Sequence, residues 1–206
     1  MTPQNAPNPS RPTPPQEDVR PFSEPSFQRF DQCEPFPFKP TEYLRRIAWE
    51  WVERLFMRLS PRRAYGWRRF WLRTFGAKIA RKAEVRPNVR IWHPWLLEMG
   101  EHATLADGVT IYNLGRVRLG EHSVLSQNVY VCAGTHDYSK PSMPLIRPEI
   151  DIGNGVWVAA GAFVGPGVKI GDNAVVGACA VVMRDIPGGM IASGNPATVV
   201  KPRRMG

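Results

Sequence analysis

From Asp151 onward the apolar residues recur at every sixth position. Ile152, Val158, Val164, Ile170, Val176 and Val182 are all aliphatic. The residue after each is small in all but the last case: Gly153, Ala159, Gly165, Gly171, Gly177, then Met183. The fifth places hold Val156, Ala162, Val168, Ala174, Ala180 and Ile186. An α-helix repeats every 3.6 residues and a plain strand every two. A fixed short repeat of six belongs to a β-solenoid. One aliphatic side chain per flat side points inward and stacks on its counterpart in the next coil. Small residues at the corners let the backbone turn. Three such sides close one triangular coil.

The frame extends upstream with regular interruptions. Val85, Ile91 and Met99 are followed by Leu105, Ile111 and Leu119, then by Leu125, Val131 and Ile152. Each insertion falls after the second side of a coil. The pattern predicts an all-β, parallel β-helix over residues 85–206, of about five coils and about 24 Å tall. Its bulges share one edge, which stacks His93, Asn113 and Ala133. The 20-residue stretch Cys132–Asp151 leaves from the same edge. Loops this long in a compact domain are usually functional or disordered.

Ahead of the solenoid the period is helical. Leu44, Ile47, Ala48, Trp51, Val52, Leu55, Phe56 and Leu59 keep the spacing of one helix face. A helix is expected over 41–59 with Thr41 as its cap, and a second from Ser60-Pro61 to about Phe75, stopping at Gly76. Residues 41–84 thus form a basic amphipathic helical segment. Residues 1–40 hold 11 of the 21 prolines and no glycine, and read as a largely disordered head.

Charge sharpens this division. The net charge is +9, and residues 41–86 alone hold thirteen basic and four acidic side chains. The expectation is that the apolar stripe of these helices packs on the body or on a neighbouring subunit. The alternative is a peripheral contact with an anionic membrane surface through 41–86. A nucleic-acid partner is not expected, since no reading motif accompanies the charge. Three cysteines (Cys33, Cys132, Cys179) without metal-type spacing indicate a reducing compartment. With no secretory signal and no transmembrane run in view, a cytoplasmic location is expected, at most peripheral at the inner face of the membrane.

Candidate chemistry is sparse. Of the four histidines, His102 and His122 occupy equivalent Gly-Glu-His corners and should face solvent. His93 lies in the first bulge and either packs or touches a ligand. His136 stands in the long loop beside Asp137 and near Asn113, a placement suited to a general base. Metal catalysis is not expected, because no second and third histidine converge on His136. There is no phosphate-cradling Gly-rich loop and no nucleophile elbow.

The body resembles the bacterial hexapeptide-repeat acyltransferases, within them most closely the colanic-acid biosynthesis acetyltransferase group. The likeness covers roughly 41–204. It includes Ser60-Pro61, Gly66-Trp67-Arg68-Arg69-Phe70, Arg90-Ile91-Trp92, Ile111-Tyr112-Asn113, Gly134-Thr135-His136-Asp137 and Gly194-Asn195-Pro196-Ala197. It implies left-handed coiling, acetyl-CoA as co-substrate and a homotrimer with sites between subunits. The acceptor it implies is a sugar hydroxyl of an exopolysaccharide or related glycan precursor. It makes His136 the base, Ala160 N–H the oxyanion donor, and Trp157, Ala178, Arg184 and Lys201 the CoA-facing residues. Thr198 replaces a basic residue of some relatives, which leaves Arg203 or Arg204 for the phosphates. Asn113 replaces an acidic acceptor contact, with His93 beside it, and Asp137 either orients the imidazole or caps its loop. The rival readings are a sugar-nucleotide N-acyltransferase and a non-catalytic β-helix scaffold.

Overall fold

The computed structural model describes Asp31 and residues 39–204. The proline-rich head, apart from Asp31, Lys39 and Pro40, lies outside the described residues. The body is a parallel β-solenoid with three flat faces. The first face stacks Ile79, Met99, Leu119, Ile152, Ile170 and Ile186. The second stacks Val85, Leu105, Leu125, Val158, Val176 and Ala192. The third stacks Ile91, Ile111, Val131, Val164 and Val182. All of these side chains are buried, so the six-residue frame describes the core directly. Two faces have six levels rather than five. The solenoid begins at Lys78–Ile79, ahead of Val85, and its last level is completed by Ile186 and Ala192.

The corners are held by left-handed backbone and by side chains that accept from main chain. Gly108, Asn128, Gly161 and Cys179 have φ of 76°, 58°, 69° and 56° along the corner between the second and third faces. A methyl group on Gly108 would strike the Asn128 side chain of the next coil, so the column is packed too closely for most residues. Between the first and second faces, Asn154 accepts from the Glu121 N–H and Asp172 from the Asn154 N–H. His102 and His122 sit at this corner with φ of 58° and 56°, exposed, their rings stacked 4.7 Å apart.

A stack of strands leaves unpaired backbone at both ends. The N-terminal helices cover the lower end. Helix α1 spans Pro40–Val52 and runs into a wider π turn, Glu53–Met57. Its cap is Lys39, with Pro40 in the first turn and Glu42 accepting from the Lys39 N–H at 3.0 Å; Thr41 is already helical. Helix α2 spans Tyr65–Thr74, starting later than Ser60-Pro61 suggests. The intervening turn is organised by Arg68, which is buried and donates to the Ser60 hydroxyl and the Pro61 and Arg62 carbonyls. Arg68, Arg69 and Arg73 also cap the Val85, Ala83 and Ile79 carbonyls of the lowest coil. Trp49 donates its indole N–H to the Ile91 carbonyl at 2.6 Å, and Glu53 accepts the Ile91 N–H at 2.8 Å. The upper end is closed by the strand Thr198–Pro202, paired antiparallel with Met190–Ser193.

Of the two partners expected for the apolar stripe of α1, body or neighbouring subunit, the body takes little of it. Trp49, Val52 and Met57 are buried, whereas Leu44, Ile47, Trp51, Leu55, Phe56 and Leu59 are exposed. The inner face is selected by the two side chains that bond the open strand at Ile91, and the hydrophobic stripe is thereby turned outward.

Candidate active site

The edge between the third and first faces carries the bulges. His93, Asn113 and Ala133 stack there as their register predicts, all buried. Asn113 accepts the His93 N–H through Oδ1 at 2.9 Å and donates through Nδ2 to the His93 carbonyl at 2.6 Å. His93 donates from Nδ1 to the Asn113 carbonyl at 3.0 Å. Burial pushes the His93 imidazole below its ordinary range, favouring the neutral form. Asn113, expected at the acceptor, and His93, expected either to pack or to touch a ligand, are both buried in this chain and tie two bulges together.

The long loop leaves directly above. Thr135–His136 pairs antiparallel with Leu145–Ile146, and the turn between them is closed by Asp137 N–H to the Pro144 carbonyl at 3.0 Å. His136 is exposed. Its Nδ1 lies 2.7 Å from the Met143 carbonyl. A carbonyl oxygen only accepts, so Nδ1 carries the proton and Nε2 of the neutral ring keeps its lone pair. Asp137 is not the imidazole's partner. It accepts from the Ser139 N–H and hydroxyl and pairs with Lys140 at 3.5 Å. The Ser139 bonds hold its carboxyl below the usual carboxylate range. Of the two roles open to it, loop capping is the one realised. The Met143 carbonyl could not be read from sequence, since main-chain partners leave no residue signature.

The remaining candidates lie mostly elsewhere on the prism. Ala160 and Ala178 are one coil apart at the corner between the second and third faces, both exposed. The Ala160 carbonyl accepts from Cys179, while its N–H meets no acceptor among the described residues. Trp157 stands on the second face, half exposed, its indole N–H on the Ser126 hydroxyl at 3.0 Å. Lys201 is exposed on the closing strand beside Ile191 of the same face. Arg184 is also exposed but follows Val182 of the third face, on the His136 edge. Arg203 donates from Nη1 to the Gly155 and Asn173 carbonyls; Arg204 is exposed. In a single chain, then, the imidazole and the open Ala160 N–H occupy opposite edges of the third face. Among the described residues no three His, Cys, Asp or Glu side chains gather as a metal site.

Residues 149–184 match the model of the bacterial transferase hexapeptide (six repeats). The chain is 40% identical over 169 residues to WcaF of Escherichia coli K12, assigned to colanic acid biosynthesis as an acetyltransferase, covering 82% of this chain and 93% of that one. The chain belongs to the hexapeptide-repeat acetyltransferases. The galactoside O-acetyltransferase of Escherichia coli K12 is 28% identical over 61% of this chain and 63% of its own length. Among solved structures, a maltose O-acetyltransferase from Clostridium difficile 630 superimposes with a TM-score of 0.72 at 27% identity, covering 81% of this chain and 90% of that one. A galactoside acetyltransferase in complex with coenzyme A gives 0.74 at 24% identity, over 82% and 85%, a likeness of fold. Within this family the chain is an acyltransferase.

Proposed function

We propose that the protein transfers acetyl from acetyl-CoA to a sugar hydroxyl of an exopolysaccharide or related glycan precursor. The observation that carries this is the His136 tautomer: Nδ1–H is held by the Met143 carbonyl, and Nε2 is left as an exposed base. Nε2 takes the proton of the acceptor hydroxyl as its oxygen attacks the thioester carbonyl. The tetrahedral oxyanion is met by the Ala160 N–H, a type of donor worth about 3–4 kcal/mol in acyl transfer. Collapse expels the CoA thiolate, which takes the proton back from the imidazolium. Trp157, Ala178 and Lys201 line the CoA path, with Ala178 offering backbone to the pantetheine and Lys201 and Arg184 charge to the phosphates.

Because His136 and Ala160 stand on opposite edges of one prism, the complete site is formed between chains, in a homotrimer. Arg184, on the His136 edge, then reaches the CoA held by the neighbouring chain. WcaF's assignment to colanic acid supports the glycan acceptor, and the coenzyme A complex of the galactoside enzyme supports the donor. Acetyl-CoA as donor supports a cytoplasmic enzyme, at most peripheral at the inner face of the membrane.

A thiol-release assay with acetyl-CoA and paired hydroxyl and amino sugars tests the reading. Turnover is expected with hydroxyl acceptors, and His136→Ala should lower kcat at least ~10²-fold, the usual worth of a general base. Turnover only with amino sugars would make the enzyme an N-acyltransferase. Unchanged kcat in the variant would remove His136 from the mechanism.

A further inference from the structure

The outward face of the helical cap has no part in acetyl transfer. Leu44, Trp51 and Leu59 are 68%, 59% and 76% exposed along α1 and the turn after it. The row continues onto α2, where Trp67 packs on Phe56 with ring centroids 6.1 Å apart and donates its indole N–H to the Phe56 carbonyl. An apolar groove between Leu55, Leu59, Pro61, Ala64 and Trp67 joins the two helices. Contiguous apolar surface of this extent marks an interaction site.

Its rim is cationic. Arg54, Arg58, Arg62 and Arg63 are all exposed along it. Beside α1, Arg46, Arg54, Arg58 and Arg90 line a cavity of about 240 Å³. Of the two carboxylates there, Glu50 is shared by Arg46 and Arg54 at 3.7 and 3.9 Å, and Glu53 is turned inward onto the Ile91 N–H. Arg58 and Arg90 have no ion-pair partner among the described residues, so the cavity offers spare positive charge to an anion the size of a phosphate.

Position decides between occupants. The cap bonds the open backbone of the lowest coil, so it sits at an end of the prism, with Arg90 on the adjoining third face. On the trimer reading above, chains meet along prism edges, which leaves the ends uncovered. Three-fold symmetry about an axis parallel to the prisms puts all three caps on the same side, facing one plane. A two-fold contact between caps would instead bring the arginine rims together. We infer that this end of the molecule lies on an anionic lipid bilayer, with Leu44, Ile47, Trp51, Leu55, Leu59 and Trp67 in the headgroup–acyl boundary and lipid phosphates on the arginine rim. Among the described residues no helix is long and apolar enough to span, so the contact is peripheral.

The test uses the purified full chain, with vesicles of phosphatidylcholine alone or of equal parts phosphatidylcholine and phosphatidylglycerol. The protein should co-sediment with the anionic vesicles, at least ~10-fold more tightly than with the neutral ones, and lose binding as salt rises. Trp51→Glu with Leu59→Glu, and separately Arg58→Glu with Arg62→Glu, should each weaken binding ~10-fold or more. Sedimentation velocity without lipid should show the same assembly for all, and thiol release with a soluble acceptor should be unchanged. Wild-type protein remaining in the supernatant with anionic vesicles overturns the inference. So does a change of assembly in the Trp51/Leu59 variant, which would assign the face to a neighbouring chain. A wild-type monomer that still binds vesicles would remove the trimer and leave the surface standing.

Discussion

At His136 the tautomer is set by a main-chain oxygen and not by a carboxylate. The Met143 carbonyl orients the ring without adding a negative charge. Asp137 shapes the same loop, its carboxylate accepting from the Ser139 N–H and hydroxyl and its backbone N–H donating to the Pro144 carbonyl next to Met143. Asn113 is the other residue whose chemistry the structure decides. Its amide uses both ends on the His93 backbone, one accepting and one donating. A carboxylate of the same shape can only accept. Asn113→Asp should therefore leave the His93 carbonyl without its donor and bury a charge beside it, costing about 2 kcal/mol or more. Urea unfolding followed by tryptophan fluorescence measures this. Unchanged stability would mean that the side chain reaches solvent and the acceptor after all.

The elements are set by two different kinds of information. The solenoid faces are written in aliphatic side chains at fixed intervals, so nearly every inward residue from Val85 to Val182 is legible. Ile79 is not, because it follows a helix and precedes the first full repeat, leaving no earlier period to join. The α1 helix is legible as a helix, but its orientation is not. The hydrophobic stripe names one face, whereas the covered face is the one whose Trp49 and Glu53 meet the open Ile91 strand. Polar bonds to an exposed strand edge outweigh an apolar stripe that other contacts can satisfy, and such bonds have no sequence period. Likewise His136 stands out by its place in a long loop, while its main-chain partner does not. Glu53 gives this cap a pH dependence. Burial raises its carboxyl above the ordinary value of 4.5, against the pull of the Ile91 N–H and of Arg58 and Arg90. A raised folded-state value means that its contribution is complete below 4.5 and is lost as pH rises through the folded value. Glu53→Gln still offers an oxygen to Ile91 and cannot ionise. It should melt a few degrees higher than wild type at alkaline pH, on the order of 1 kcal/mol, with the gap closing toward acid. Thermal unfolding at both ends of that range checks the sign; a gap independent of pH would mean that Glu53 is not the titrating group.

At the scale of the whole molecule, the third face separates the His136 imidazole from the open Ala160 N–H, and its width is fixed by the strands that build it. The antiparallel pairing of Thr135–His136 with Leu145–Ile146 holds His136 on its own edge. A neighbouring prism can bring the opposite edge to it without breaking that pairing, and cyclic closure then gives every chain one site on each side. This makes activity recoverable from two inactive chains. His136→Ala keeps the donor edge, and Ala160→Pro keeps the base while removing the N–H. Each alone should be nearly silent. Co-expressed in equal amounts and allowed to assemble at random, they should recover about one quarter of wild-type activity, because one interface in four pairs an intact base with an intact donor. Each variant must sediment as wild type does, so that loss of activity is not loss of assembly. Mixed trimers with no more turnover than the parents would place base and donor within one chain and remove the reason for an inter-chain site. Recovery near one quarter would leave the two edges of the prism as halves of one active site.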